Sequence, residues 1–251
     1  MANQNVKRIL ASIALLALGA APAAHALQIV TEEYAPFNYT ENGKLTGLAT
    51  EVVTEMGRRA KVPLIFAVMP WPQAYDLAQT KSNTCIYSMS RLENRERLFK
   101  WVGLLASNSW GLFAKSGFTD PINSLADARP YRIGGVTNDA KVMWLRDNAV
   151  TNIVTANEDK QIPPMLTLDR KKLNAVDLWV TGIYAQKAVA GAAGVTDTKL
   201  VYKLRTEPLW LACGPSVESG AVKSLADALD AMKNDGSYKK IADSYEKRFA
   251  P

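Results

Sequence analysis

The sequence predicts an α/β protein in two parts, each a mainly parallel sheet flanked by helices. Three observations carry this. Short apolar runs alternate with longer amphipathic ones, the alternation pauses over a connecting stretch, and then it starts again. The chain that follows the first 26 residues is also long enough for two domains of roughly 100 residues each.

Residues 27–31 read as a first strand, and Glu41-Asn42-Gly43-Lys44 as a turn, because Asn-Gly accepts positive φ. Over 48–61, Leu48, Val52, Val53 and Met56 recur at helical spacing. Residues 64–69 are rich in branched and aromatic side chains and read as a strand. Trp71-Pro72 then opens a helix, proline being tolerated in a first turn, with Ala74, Leu77 and Ala78 inward. Residues 84–89 form the third strand. In the second half, 131–136 predicts a strand and 138–147 a helix with Val142, Met143 and Leu145 apolar. A short strand at 153–154, a basic-faced helix at 166–173 and a strand at 175–180 follow. Next come a small-residue helix at 182–193 and separate strands at 200–204 and 209–213. Helices at 217–233 and 237–249, divided by Asn234-Asp235-Gly236, end the chain. Two lobes fit this order better than one continuous sheet.

The first 26 residues read as a secretory leader. Lys7 and Arg8 precede an uncharged apolar run from 9 to 21, and Ala24-His25-Ala26 offers the small residues a signal peptidase needs. The run is short for a membrane span, so the expected product is a soluble protein that starts at Leu27 in the periplasm. Cleavage removes two cations from a formal charge of +6. The remaining Lys and Arg are interspersed with acids, which argues against nucleic-acid binding. The only histidine, His25, lies in the leader, which excludes Ser-His-Asp and Cys-His catalysis and any histidine-bearing zinc site in the processed chain. Neither metal nor cofactor is expected. Cys85 and Cys213 lack metal-ligand spacing. They are a disulfide in an oxidising compartment or two small buried hydrophobes, and the sequence leaves both readings open.

Three segments offer binding chemistry. Glu33-Tyr34-Ala35-Pro36-Phe37-Asn38-Tyr39 places aromatics directly after a strand, at the sheet edge where α/β proteins bind ligands, or else covers the core edge. Ser88-Met89-Ser90 ends a strand and leads into a turn with Arg91, Arg95 and Arg97. Hydroxyls, free N–H groups and a planar guanidinium suit a carboxylate, whereas three arginines also suit a solvated surface. Thr137-Asn138-Asp139, at a strand-to-helix junction, meets a polar ligand group or simply caps the helix, for which Thr and Asn are standard choices.

Taken together, these residues resemble the family 3 extracellular solute-binding proteins, receptors of polar amino acid ABC importers. The resemblance rests on Tyr34-Ala35-Pro36-Phe37 with Gly43 and Gly47, on Ser88, Ser90, Arg95 and Trp101, and on the tail Asn234-Asp235-Gly236-Ser237-Tyr238. It implies a two-lobed periplasmic-binding-protein-like fold of type II. Lobe 1 would be 27–108 with 210–251 and lobe 2 would be 109–209, with hinge crossings near 109–113 and 206–210. It further implies that Arg95 clamps a solute carboxylate with Ser88 and Ser90, and that Tyr34, Phe37 or Trp71 stacks on the solute. Asn138, Asp139 and Thr181 would face it from lobe 2. The implied partners are a small-molecule solute and an ABC permease, and the implied form is a monomer.

Two positions depart from the family pattern. Leu92 stands where amino-acid-binding members carry Thr, and Thr181-Gly182 stands where they carry the Asp that receives the solute's ammonium. The carboxylate half of the site is therefore expected intact and the ammonium half altered. Asp139 is the candidate substitute, or the solute is not a standard α-amino acid. The expected function is binding without catalysis. A periplasmic dehydratase or lyase on the same fold is the alternative, with Glu33 or Asp139 as its acid, and a sensor-linked binding protein is another.

Overall fold

The computed structural model describes residues 26–249, so the leader expected over 1–26 lies outside the described residues apart from Ala26. Strand β1 (Leu27–Thr31) is followed by a small hairpin, β2 (Tyr39–Glu41) and β3 (Lys44–Thr46), around the predicted Asn-Gly turn. Helix α1 (Leu48–Ala60), strand β4 (Leu64–Val68), helix α2 (Trp71–Thr80) and strand β5 (Thr84–Ser90) complete the first β-α-β-α-β set. Strands β1, β4 and β5 pair in parallel in the order β4-β1-β5.

Successive residues of these strands face opposite ways, as the two-residue period requires. Leu27 and Ile29 of β1, with Cys85 and Tyr87 of β5, join the core under Val52, Val53 and Met56 of α1. Val30 and Ile86 join the opposite core under Ala74 and Ala78 of α2. Burying each such Val or Met side chain contributes about 1.5–3 kcal/mol.

Strand β6 (Lys100–Lys115) runs for 16 residues out of this set. A second parallel set follows: β7 (Ile133–Val136), α3 (Ala140–Asp147), β8 (Ile153–Ala156), the short helix α4 (Ile162–Met165), β9 (Leu178–Gly182) and α5 (Gln186–Ala192). Its strands lie in the order β9-β7-β8. Strand β10 (Thr198–Cys213), also of 16 residues, returns antiparallel to β6, and helices α6 (Ser219–Asn234) and α7 (Ser237–Phe249) pack back on the first half.

The two parallel sets are predicted correctly, but they are not separate sheets. One ladder of eight strands runs β4-β1-β5-β10-β6-β9-β7-β8, and the two long strands carry it from one set to the other. The segments expected as separate strands at 200–204 and 209–213 are one strand, β10, although Pro208 has no N–H to give a ladder. The strand absorbs it through register shifts on either side, between Lys203 and Thr206 and between Leu209 and Trp210.

Other local expectations also need correcting. Residues 166–173 are turns, not a helix. The helix of that region stops at Met165, Thr167 donates its hydroxyl to the Pro164 carbonyl, and Asp169 accepts the Lys171 N–H. Such local side-chain bonds compete with helix propagation. Helix α3 begins at Ala140 rather than 138, because Asp139 is its N-cap and accepts the Lys141 N–H at 2.7 Å. Neither Thr137 nor Asn138 caps it. Helix α5 likewise starts at Gln186 rather than 182. Cys85 and Cys213, opposite one another on β5 and β10, are disulfide-bonded.

Candidate functional site

The carboxyl ends of β1, β5 and β7 converge on one small space of about 10 Å³. Tyr34, Trp71, Ser88, Ser90, Arg95 and Asp139 line it, together with Glu32, Asn108, Trp110 and Lys141, which the sequence reading did not single out. A wider cleft of about 610 Å³ adjoins it and shares Glu32; its walls come from the β1–β2 loop, Glu158-Asp159-Lys160 and α5.

The loop after β1 turns tightly. Phe37 and Asn38 both donate their N–H groups to the Tyr34 carbonyl, and Gly47 lets α1 begin directly above it. Gly47 has φ +117, and a Cβ there would lie 2.4 Å from the Phe37 carbonyl oxygen, so only glycine fits. The turn sends Tyr34 and Phe37 to different places. Tyr34 reaches the small space, while Phe37 packs behind it in the core at 5.8 Å ring to ring. Phe37 is therefore not placed to stack on a solute.

The end of β5 carries the hydroxyls and the arginine that the sequence singled out. Ser88 has φ +58, a left-handed conformation that a non-glycine residue adopts only under constraint, and its buried hydroxyl has no hydrogen-bond partner among the described residues. Arg95 sits in a short 3-10 turn (Glu93–Arg95) and is 1% exposed. It donates to the Ser90 carbonyl at 3.2 Å and to the Asn138 carbonyl at 2.9 Å, and it lies over the rings of Trp71 and Tyr75 at 5.6 and 5.0 Å. Its Nε is unpartnered, and no carboxylate among the described residues forms an ion pair with it. Burial pulls its pKa below the ordinary guanidinium value. Arg91 and Arg97, by contrast, are exposed, and Arg91 is already paired with Glu96 and stacked on Trp101 and Trp210.

The α3 side supplies the opposite wall. The Asn138 side chain is exposed, and only its carbonyl enters the site, where it accepts from both Arg95 and Trp71 Nε1. Asp139 uses both oxygens on Lys141, one on its N–H and one on its ammonium at 2.9 Å. Asp139 is therefore not a free countercharge for a solute ammonium. Thr181 lies behind the wall, fully buried, and donates to Asp159 at 2.6 Å; Trp179 donates to the other Asp159 oxygen. Where family resemblance led to an expected acid, a Cβ on Gly182 would fall 2.3 Å from the Tyr34 hydroxyl and 2.8 Å from Asn108 Oδ1. Tyr34 and Asn108, hydrogen-bonded to each other at 2.8 Å, fill that place.

The residues missed at the sequence level have weak local signals. Glu32 directly follows β1 and Asp159 follows β8, both at carboxyl strand ends, and Lys141 follows the cap by two residues. Burial, Asp139 and Asp159 raise the Glu32 pKa well above its ordinary value despite Lys141 and Arg95. Burial pushes Tyr34 up to about 12. Of the acids considered for catalysis, Glu33 is exposed and hydrogen-bonded to Thr40, and Asp139 is held by Lys141. Among the described residues, no group of three or more His, Cys, Asp or Glu is placed to hold a metal ion.

The two parallel sets joined by two long strands, with a cleft at their carboxyl ends, are the frame of a periplasmic-binding-protein-like fold. Residues 27–248 match the bacterial extracellular solute-binding proteins, family 3, and the chain belongs to that family. It is 24% identical over 219 residues to the "Probable amino-acid-binding protein YxeM" of Bacillus subtilis (strain 168), covering 84% of this chain and 79% of that one. A histidine kinase sensor domain with similarity to periplasmic binding proteins superposes with a TM-score of 0.78 at 14% identity, over 88% of this chain and 96% of its own. An ancestral arginine-binding protein bound to arginine does so at 0.75 and 21% identity, over 90% and 98%. Both structural likenesses concern the fold. No helix among the described residues is long and apolar enough to cross a membrane.

Proposed function

We propose that this chain captures a small carboxylate-bearing, amino-acid-like solute by hinge closure and delivers it to an ABC permease, without chemical conversion. One observation carries the reading. Arg95 is a fully buried cation with an unpartnered Nε and no carboxylate of its own, beside the unpartnered hydroxyl of a strained Ser88. A buried charge is costly unless paired, so this arrangement suits a partner that arrives with the solute. Ser90 and Trp71 shape the same end, and Tyr34 forms the facing wall. The relative named as an amino-acid-binding protein supports the solute class.

In this reading, 27–108 with 210–251 form one lobe and 109–209 the other, and the crossings near 109–113 and 206–210 act as the hinge. Ser109 and Thr206, paired across β6 and β10 at 2.7 Å, mark the middle of that crossing. The protein leaves the cytoplasm through a leader over 1–26, works as a periplasmic monomer and needs no cofactor. The sensor domain with the same fold favours a second use of closure, signalling to a membrane receptor. Uptake of labelled solute by cells with and without this chain separates the two.

The test is a thermal-shift screen of residues 27–251 against amino acids and small carboxylates, followed by small-angle scattering. A solute at about 100 times its Kd should add about 2.7 kcal/mol of stability. The expected result is a carboxylate that raises the midpoint and reduces the radius of gyration. Turnover of that solute, or a bound solute lacking any carboxylate, would overturn the reading.

A further inference from the structure

The other buried cation of the cleft is in the opposite condition. Lys141 is 5% exposed, yet its ammonium has a complete setting. Asp139 accepts from it at 2.9 Å, the Tyr34 ring lies 5.0 Å away and the Trp110 ring 5.8 Å away. Glu32 and Asp159 add negative charge around it. Aromatic faces and carboxylates around one ammonium form a cage of the kind that recognises cationic ligands. Here the chain fills the cage with a side chain of its own.

We infer that Lys141 is a specificity-determining residue: its ammonium takes the aromatic and carboxylate cage on the α3 side, so the cleft admits carboxylate solutes that direct no cationic group at Tyr34 and Trp110. This deepens the reading of Arg95 as the carboxylate clamp and rests on that cleft being the binding site. The geometry is consistent throughout. Gly182 offers no acid, Asp139 is spent on Lys141, and Asp159 is spent on Thr181 and Trp179. Of the three acids around Lys141, Glu32 is the one whose carboxyl group makes neither hydrogen bond nor ion pair among the described residues, and it faces the wider cleft as well. A solute ammonium has a place beside Glu32 at the mouth, but none inside the cage. Burial pulls the Lys141 pKa down, but Asp139, Tyr34, Asp159 and Glu32 more than offset it and raise it overall, so the cage holds a cation at every physiological pH.

The experiment needs no knowledge of the solute. Lys141→Ala empties the cage, while Lys141→Met fills it with a neutral chain of similar length. In thermal-shift titrations of residues 27–251, n-propylammonium should raise the Lys141→Ala midpoint saturably, whereas 1-propanol should not. Wild type and Lys141→Met should show neither response. Equal effects of the amine and the alcohol on Lys141→Ala, or a wild-type response like that of the variant, would overturn the inference. If Lys141→Ala does not fold, Lys141→Met decides the matter through pH. Without the ammonium, Asp139, Glu32 and Asp159 act on one another with Arg95 as the cation left facing Glu32, while Thr181 and Trp179 still donate to Asp159. Its stability deficit against wild type should then shrink as pH falls from 7 to 4 and the carboxylates take up protons. A deficit that is the same at both pH values would count against the cage. Failure here removes only Lys141's role, because the cleft assignment is tested separately, by Arg95→Ala against a carboxylate from the screen.

Discussion

Arg95 and Lys141 are buried to nearly the same degree on opposite walls of one cleft, and they carry the same charge. Lys141 has its carboxylate, supplied two residues earlier by the cap of its own helix, and two rings to lie against. Arg95 meets carbonyls, a thioether, rings and the Tyr75 hydroxyl but forms no ion pair, and its Nε has no hydrogen-bond partner among the described residues. Charge and burial alone therefore do not identify a binding residue. What distinguishes the two is whether the protein completes the pairing. The completed pair fixes one wall, and in the proposed function the incomplete one is left for a solute.

The difference can be broken from either side. The largest effect is expected on the completed pair. Asp139→Asn leaves a buried ammonium without its ion-pair partner, which typically costs 3–5 kcal/mol. Urea unfolding should show that loss, and the double variant Asp139→Asn, Lys141→Met should recover much of it. A single variant as stable as wild type would mean that the pair is not truly desolvated.

On the other wall the effect should fall on binding. Arg95→Ala is expected to weaken a carboxylate solute by about 2–5 kcal/mol in calorimetry. Arg91→Ala, exposed and paired with Glu96, should change it by no more than about 1 kcal/mol. Matching losses in the two variants would break the distinction.

A smaller effect tests the crowded wall. Gly182→Ala drives a methyl into the Tyr34 hydroxyl, an overpacking worth about 1–3 kcal/mol of stability. A neutral outcome would show that Tyr34 can move aside and leave room for the acid that the family resemblance implies there.

The mildest test is pH dependence. The folded Glu32 pKa is raised, so the unfolded chain releases this proton first as pH rises. Stability is therefore lost between its unfolded and folded values, with Asp139, Asp159, Lys141 and Arg95 as the charges facing it. Glu32→Gln removes that loss. It should match wild type near pH 4 and be more stable at pH 7; equal stability at both would contradict the raised value.

The two walls were also unequally legible in the sequence. The Ser88–Arg95 segment is a local pattern: a strand end, two hydroxyls and an arginine one turn on. The fold needed to add only that Arg95 turns inward while Arg91 and Arg97 do not. The Lys141 cage is assembled from Tyr34, Trp110, Asp139, Glu32 and Asp159, which only the tertiary fold brings together, and Lys141 read alone is an ordinary residue in a helical first turn. The same limit explains the fold. The β-α-β order revealed the two parallel sets, while their joining rests on the long antiparallel pairing of β6 with β10, which no local pattern marks. The bond between Cys85 and Cys213 became evident only from their facing register on β5 and β10.

The central claim is that Arg95 awaits a solute carboxylate. The most direct measurement compares, by calorimetry on residues 27–251, a binding carboxylate from the screen with its own carboxamide. The two have nearly the same size and shape and differ in the charge offered to Arg95. The account predicts that the carboxamide binds at least tenfold more weakly to wild type, about 1.4 kcal/mol, and that this gap closes in Arg95→Ala. Equal affinity of the pair for wild type, or a gap that survives in Arg95→Ala, would contradict it.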